Sequence, residues 1–156
     1  MSPPGTTSQE QVPKVDDKKF VKEATLGGLT EVELGKLALQ KSSDDKVKQF
    51  AQKMVDDHTK ANEQLKQLAS ADGVAVPSSL DSKHQARVNK LSGLSGDAFD
   101  KAYLKDQQRD HETDVREFQR EAQGGMDPKV KAFATSTLPT LQQHLEMVKS
   151  LNKSEK

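Results

Sequence analysis

At 156 residues the chain has room for one hydrophobic core, since a compact fold of that length hides about two-thirds of its unfolded surface. Lys and Arg total 24, as do Asp and Glu, and the two signs are interspersed, which excludes the cationic footprint that phosphate neutralisation needs and argues against nucleic acid as a partner. Cysteine is absent, excluding a disulfide framework, a thiolate nucleophile and a thiolate zinc site, and no run reaches the roughly 18 apolar residues of a membrane span.

Residues 1–15, with Pro3, Pro4, Gly5, Thr6, Thr7 and Ser8, are small and polar without an apolar repeat; they read as a flexible tail, with no charged-then-apolar signal segment. From about Asp16 the pattern turns helical, and residues 16–152 are expected to form a single bundle domain. Phe20, Ala24, Leu34 and Ala38 line one side of the first helix, Val21, Val32 and Leu39 a neighbouring side, and Leu26, Leu29 and Leu37 yet another. A helix that apolar all round is central, or leaves room for a homodimer face. Ser42 or Ser43 is expected to cap the second helix, whose Val47, Phe50, Ala51, Met54, Val55, His58, Ala61, Leu65 and Leu68 keep three-and-four spacing up to Gly73, a left-handed C-cap.

Val74 to Gly96, with Pro77, several serines and a short helical stretch from Asp81 to Leu91, is too long for a hairpin loop and reads as a crossover. The third long helix starts near Asp97, carries Phe99, Tyr103, Leu104, His111, Val115, Phe118 and Ala122, and stops at Gly124-Gly125. Asp127 and Pro128 open the fourth as N-cap and first helical residue; its stripe is Val130, Phe133, Thr137, Leu141, His144, Val148 and Leu151, and Pro139 inside it predicts a kink. Short connections after the first and third long helices, and a long one after the second, describe an all-α, ferritin-like antiparallel four-helix bundle.

His58, His111 and His144 thus fall on three helices, each on or beside the inward stripe and away from the helix ends. The first helix offers Glu31, on the side of Phe20, Ala24 and Ala38, or Glu33, among Leu26, Leu29 and Leu37, and a carboxylate there is costly to bury unless paired or bound to a cation. Neutral imidazole suits zinc and copper, and a carboxylate completes a four-ligand set without thiolate, so Glu31, His58, His111 and His144 are the candidate ligands of a single zinc or copper ion. Each histidine taken alone is equally explained as a core residue bonded to a carbonyl or carboxylate, and the four together as a buried network fixing helix register in a structural, interaction or stress-protection module. Asp56, Asp57, Asp110, Glu112 and Asp114 flank the histidines as orienters of imidazole or as solvated faces. Met54 and Met147 read as core filling, and His84, in the crossover, lies outside the set. No nucleophile elbow or glycine-rich phosphate loop is present, so no hydrolase or nucleotide reaction is assigned, and an enzyme, if it is one, would be a redox protein with an open mononuclear centre. Gly27-Gly28 inside the first helix is read as permitting close helix approach.

The runs Gly27 to Ala38 and Val47 to Asn62, with Asp56-Asp57-His58 in the second, resemble the bacterial family catalogued as domain of unknown function "forty-one forty-two". Leu94-Ser95-Gly96, Phe99-Asp100, Tyr103, Asp110-His111-Glu112 and Leu138-Pro139 through His144 extend the resemblance over about residues 18 to 151. It implies a ferritin-like fold, an exported protein of the kind often labelled outer-membrane or periplasmic, no established reaction, and Glu31, His58, His111 and His144 as signature polar positions. Di-iron bundles carry Glu-x-x-His on two helices, whereas Val55, Gln108 and Leu141 stand three residues before the histidines here, so no di-iron centre is expected.

Overall fold

A computed structural model describes residues 16–154; the expected tail over residues 1–15 lies outside the described residues. Five helices and no strand occur among the described residues: α1 (Asp17–Lys41), α2 (Asp45–Ala71), α3 (Ser82–Ser92), α4 (Gly96–Gly124) and α5 (Pro128–Ser154). None of the described helices is long and apolar enough to cross a membrane.

Local chemistry sets the boundaries. Asp16 caps α1 by accepting from the Lys19 N–H, and Asp44 caps α2 by accepting from Lys46 and Val47. Asp44 thus replaces the expected Ser42 or Ser43: Ser42 is buried in the turn, where its Oγ accepts from the Asp44 N–H at 3.1 Å. Gly73 closes α2 at φ +69°, a conformation that Cβ disfavours; its own N–H bonds the Ser70 carbonyl and the next N–H, of Val74, the Ala69 carbonyl. Asp81 caps α3 by accepting from the His84 N–H, and Asp127 accepts from Lys129 at the head of α5, which continues through Pro139 to Ser154.

The end contacts give the directions. Asp17 at the head of α1 accepts from the N–H groups of Met126 and Asp127, and Lys129 on α5 reaches Asp72 at the foot of α2 at 2.6 Å. At the other end Asn152, late in α5, donates to the Leu104 carbonyl and to Gln108 on α4. The heads of α1 and α5 therefore share one end with the feet of α2 and α4. With α1 packed on α2 and α4, and α5 packed on α4 and α2, every adjacent pair of long helices is antiparallel. The crossover has to return along the bundle, and within it α3 lies against α1 and α4. Those three neighbours explain why α1 is apolar on nearly every side.

The core has two apolar clusters. One gathers Leu34, Phe50, Met54, Phe99, Tyr103 and Leu104 with Val148, and the other gathers Phe20, Leu65, Phe118, Phe133 and Leu141. Along each long helix the sequence passes from one cluster to the other through a polar position: Glu31 on α1, His58 on α2, His111 on α4 and His144 on α5. A buried polar layer thus divides the apolar interior at mid-height.

Candidate metal centre

The three-and-four spacing that buries Met54 and Leu65 also turns His58 inward, and the same logic carries His111 between Leu104 and Phe118 and His144 between Leu141 and Val148. Their rings converge, with centroid separations of 5.7 Å for His58–His111, 5.4 Å for His58–His144 and 5.3 Å for His111–His144. One ring nitrogen from each lies within 4.8 Å of the others. All three side chains are buried, His111 and His144 completely.

Hydrogen bonds occupy one ring nitrogen of His111 and one of His144 and leave the other free. His111 Nδ1 is 2.8 Å from the Gln107 carbonyl, which can only accept, so the proton sits on Nδ1 and Nε2 keeps its lone pair without a partner. His144 Nε2 is 2.7 Å from Asp57 Oδ2, with Lys53 3.3 Å from the same oxygen, and His144 Nδ1 is left without a partner. His58 Nε2 is likewise buried and unpartnered. Burial, and then the neighbouring rings, hold the His58 pKa well below the ordinary histidine value. Burial lowers His144 to about 4 against the opposing pull of Asp57, and burial lowers His111 although the Gln107 carbonyl favours its charged form. At neutral pH the layer therefore presents three uncharged imidazoles, the protonation state in which histidine binds metal.

The structure distinguishes Glu31 from Glu33: Glu31 is fully buried and Glu33 is exposed. Glu31 does not belong to the set of nitrogens that meet; its carboxyl faces Asp110 and lies 3.8 Å from Arg87. Neither Glu31 oxygen, nor Asp110 Oδ2, has a hydrogen-bond partner among the described residues. Burial, followed by Asp110, raises the Glu31 pKa well above the usual range; the Asp110 pKa is lowered, because its neighbours Glu31 and Arg87 outweigh its own burial. Glu31 is thus the carboxyl pushed toward its protonated form and Asp110, the residue next to His111, the one pushed toward its ionised form. Arg87 holds this corner together, bonding both oxygens of Asp106 from Nε and Nη2 at 3.2 and 2.8 Å and reaching Asp110 at 3.5 Å.

Sequence reasoning misses Arg87 altogether and names Asp57 only as one of five acidic residues flanking the histidines. Arg87 lies on the crossover helix, where a mostly buried cation gives no periodic signal. Asp57 is one of an Asp56-Asp57 doublet, and only the helix packing selects it: Asp57 meets His144, while Asp56 is exposed and takes Gln52.

The family described as "Domain of unknown function (DUF4142)" matches residues 2–151. The chain belongs to that family. No curated protein matches it. Among solved structures this DUF4142 chain is similar to a DUF305 fragment from Deinococcus radiodurans, with 16% identity over 91% of this chain and 99% of the other and a TM-score of 0.78. It is also similar to a DUF305 protein from Streptomyces coelicolor inferred to be secreted (14% identity, 89% and 91% covered, TM-score 0.76). A third similar structure is CopM in its Cu(I)-bound form (14% identity, 90% and 98% covered, TM-score 0.75). At such identities the likeness establishes a shared all-α bundle fold.

Proposed function

We propose that this protein binds a single transition metal ion, copper or zinc, in the middle of its bundle through His58, His111 and His144. The observation that carries the reading is that three buried, neutral imidazoles on three helices each leave a ring nitrogen without a protein partner. A polar layer serving packing alone would be expected to satisfy those atoms, because an unpaired buried acceptor costs about 1–3 kcal/mol. Zinc bonds of about 2.0 Å would bring the nitrogens to about 3.3 Å from one another, so the rings would close by roughly an ångström on binding. Gln107 and Asp57 act as outer partners that fix the His111 and His144 tautomers. Glu31, buried in the same layer with neither oxygen hydrogen-bonded among the described residues, is the carboxylate available to complete the set, and binding would favour its ionised form against the burial that raises its pKa. The Cu(I)-bound CopM structure, on the same fold, supports copper among the candidates. The DUF305 protein inferred to be secreted supports a place outside the cytoplasm for this chain too.

The test is elemental analysis and equilibrium competition on untagged protein loaded separately with Cu(I) and Zn(II), alongside His58→Ala and His144→Ala. One ion per chain in the parent, lost in both variants, is expected. A parent that stays substoichiometric under metal-replete conditions would overturn the reading and leave a metal-free hydrogen-bonded layer in its place.

A further inference from the structure

A groove of about 600 Å3 runs outside the seam between α1 and α4, with Asp110 and Asp114 in its wall. Inside the bundle, a cavity of about 30 Å3 reaches His58. That space suffices for a water or a bare ion, which needs at least about 10–15 Å3. Groove and cavity share Ala24, Gly27, Asp114 and Phe118 as wall. His58 is 6% exposed, its Nε2 has no partner, and it stands on the inner side of that wall. Gly27 leaves the wall thin: a Cβ there would meet nothing within 4 Å, whereas one on Gly28 would overlap Asn62 Oδ1. Close packing therefore explains the second glycine of the pair but not the first.

We propose that the seam at Gly27 and Asp114 is the route by which a transition-metal cation passes between solvent and the three histidines. The absence of a side chain at Gly27 keeps the neck open. Asp114 is the one carboxyl that walls both spaces, and although burial and then Asp110 raise its pKa well above the usual range, its carbonyl oxygen offers a ligand to an ion that has shed part of its water. The groove lies on the α1–α4 side of the trio and adjoins there a cavity that all four long helices wall, whereas on the α2–α5 side Asp57 and Lys53 close over His144. The inference rests on the metal-binding reading, which the same experiment tests separately.

A passage differs from a ligand in its kinetics: narrowing it slows arrival and departure by the same factor and leaves the equilibrium untouched. Gly27→Leu should fill the neck, while Gly27→Ala adds only a methyl group to open space; both raise helix propensity, so neither is expected to unfold α1. Loading would be followed by rapid mixing with Zn(II) or Cu(I) and mass analysis, and release by transfer to excess chelator. In Gly27→Leu both rates should fall about tenfold or more with stoichiometry and Kd unchanged, with Gly27→Ala near the parent. Parental rates in Gly27→Leu would overturn the route alone and point to the Asp57 side, as would a changed Kd at unchanged loading rate. A parent that binds neither ion overturns the metal centre and the route together.

Discussion

Asp57 Oδ2 lies 2.7 Å from His144 Nε2 and takes Lys53 on the same oxygen, so a partly exposed aspartate on α2 sets the tautomer of a fully buried histidine on α5. Burial would raise the Asp57 pKa, but its bonds to His144 and Lys53 outweigh that and hold it below the usual value. The carboxylate is therefore ionised at neutral pH, the imidazole proton is on Nε2, and Nδ1 is free to bind. Asp57→Ala should leave the helix content intact and weaken metal binding about 10–100-fold, the usual loss when the outer partner of a histidine ligand is removed. Competition against a chelator of known affinity measures it, and parental affinity in the variant would show that His144 needs no orienting partner.

Arg87 should matter more to stability than any other residue of the crossover. It is the cation facing Glu31, Asp106 and Asp110 together. Arg87→Met keeps the aliphatic bulk and strips the charge, stranding carboxylates that have little access to water. Removing one member of such a set costs about 3–5 kcal/mol, and because the Arg87 side chain is 25% exposed the lower figure, about 3 kcal/mol, is expected. Urea unfolding of the metal-free protein gives the number; a loss below about 1 kcal/mol would mark the cluster as a solvated surface network.

The contrast between Arg87 and the histidines shows what a helical sequence exposes to reading. His58, His111 and His144 lie in register with apolar residues three and four positions away, so their inward direction, and from the loop lengths their shared level, follow from the chain itself. Glu31 was legible as an inward residue for the same reason, but its orientation toward Asp110 and Arg87 was not. That orientation depends on where α3 docks, and a crossover with Pro77 and several serines carries no pattern to fix it. The α2 cap failed differently: Ser42, Ser43 and Asp44 are all good caps, and Ser42 loses the position because the turn buries it.

Glu121 should make stability fall as pH rises. It is fully buried near the head of α1, and burial, followed by the neighbouring Asp17 carboxylate, raises its pKa to about 8 from an unfolded value of 4.5. The folded state therefore holds a proton that the unfolded state has released. This contribution is complete below pH 4.5, declines as pH rises toward about 8, and is gone above it. Glu121→Gln keeps a neutral donor at every pH. Its stability relative to the parent should grow between about pH 5 and pH 8 and then level off, as seen in denaturation midpoints at several pH values. A difference independent of pH would place an ionised Glu121 in the folded protein.

One substitution, Gly to Ala, should have opposite effects at two sites on α1. A Cβ on Gly35 would lie 2.8 Å from Val55 Cγ2 and 3.0 Å from the Ala51 carbonyl, so it is Gly35 that brings α1 against the α2 backbone. The valine methyl can shift, but the carbonyl belongs to α2 itself, and separating the helices costs about 1–3 kcal/mol. The helix-propensity gain of up to about 1 kcal/mol does not offset that. At Gly27 the Cβ meets nothing, and the same gain stands unopposed. Thermal and urea unfolding should therefore rank Gly27→Ala above the parent and Gly35→Ala below it. Equal stabilisation of both would mean that α1 and α2 are packed less closely at Gly35 than these distances require.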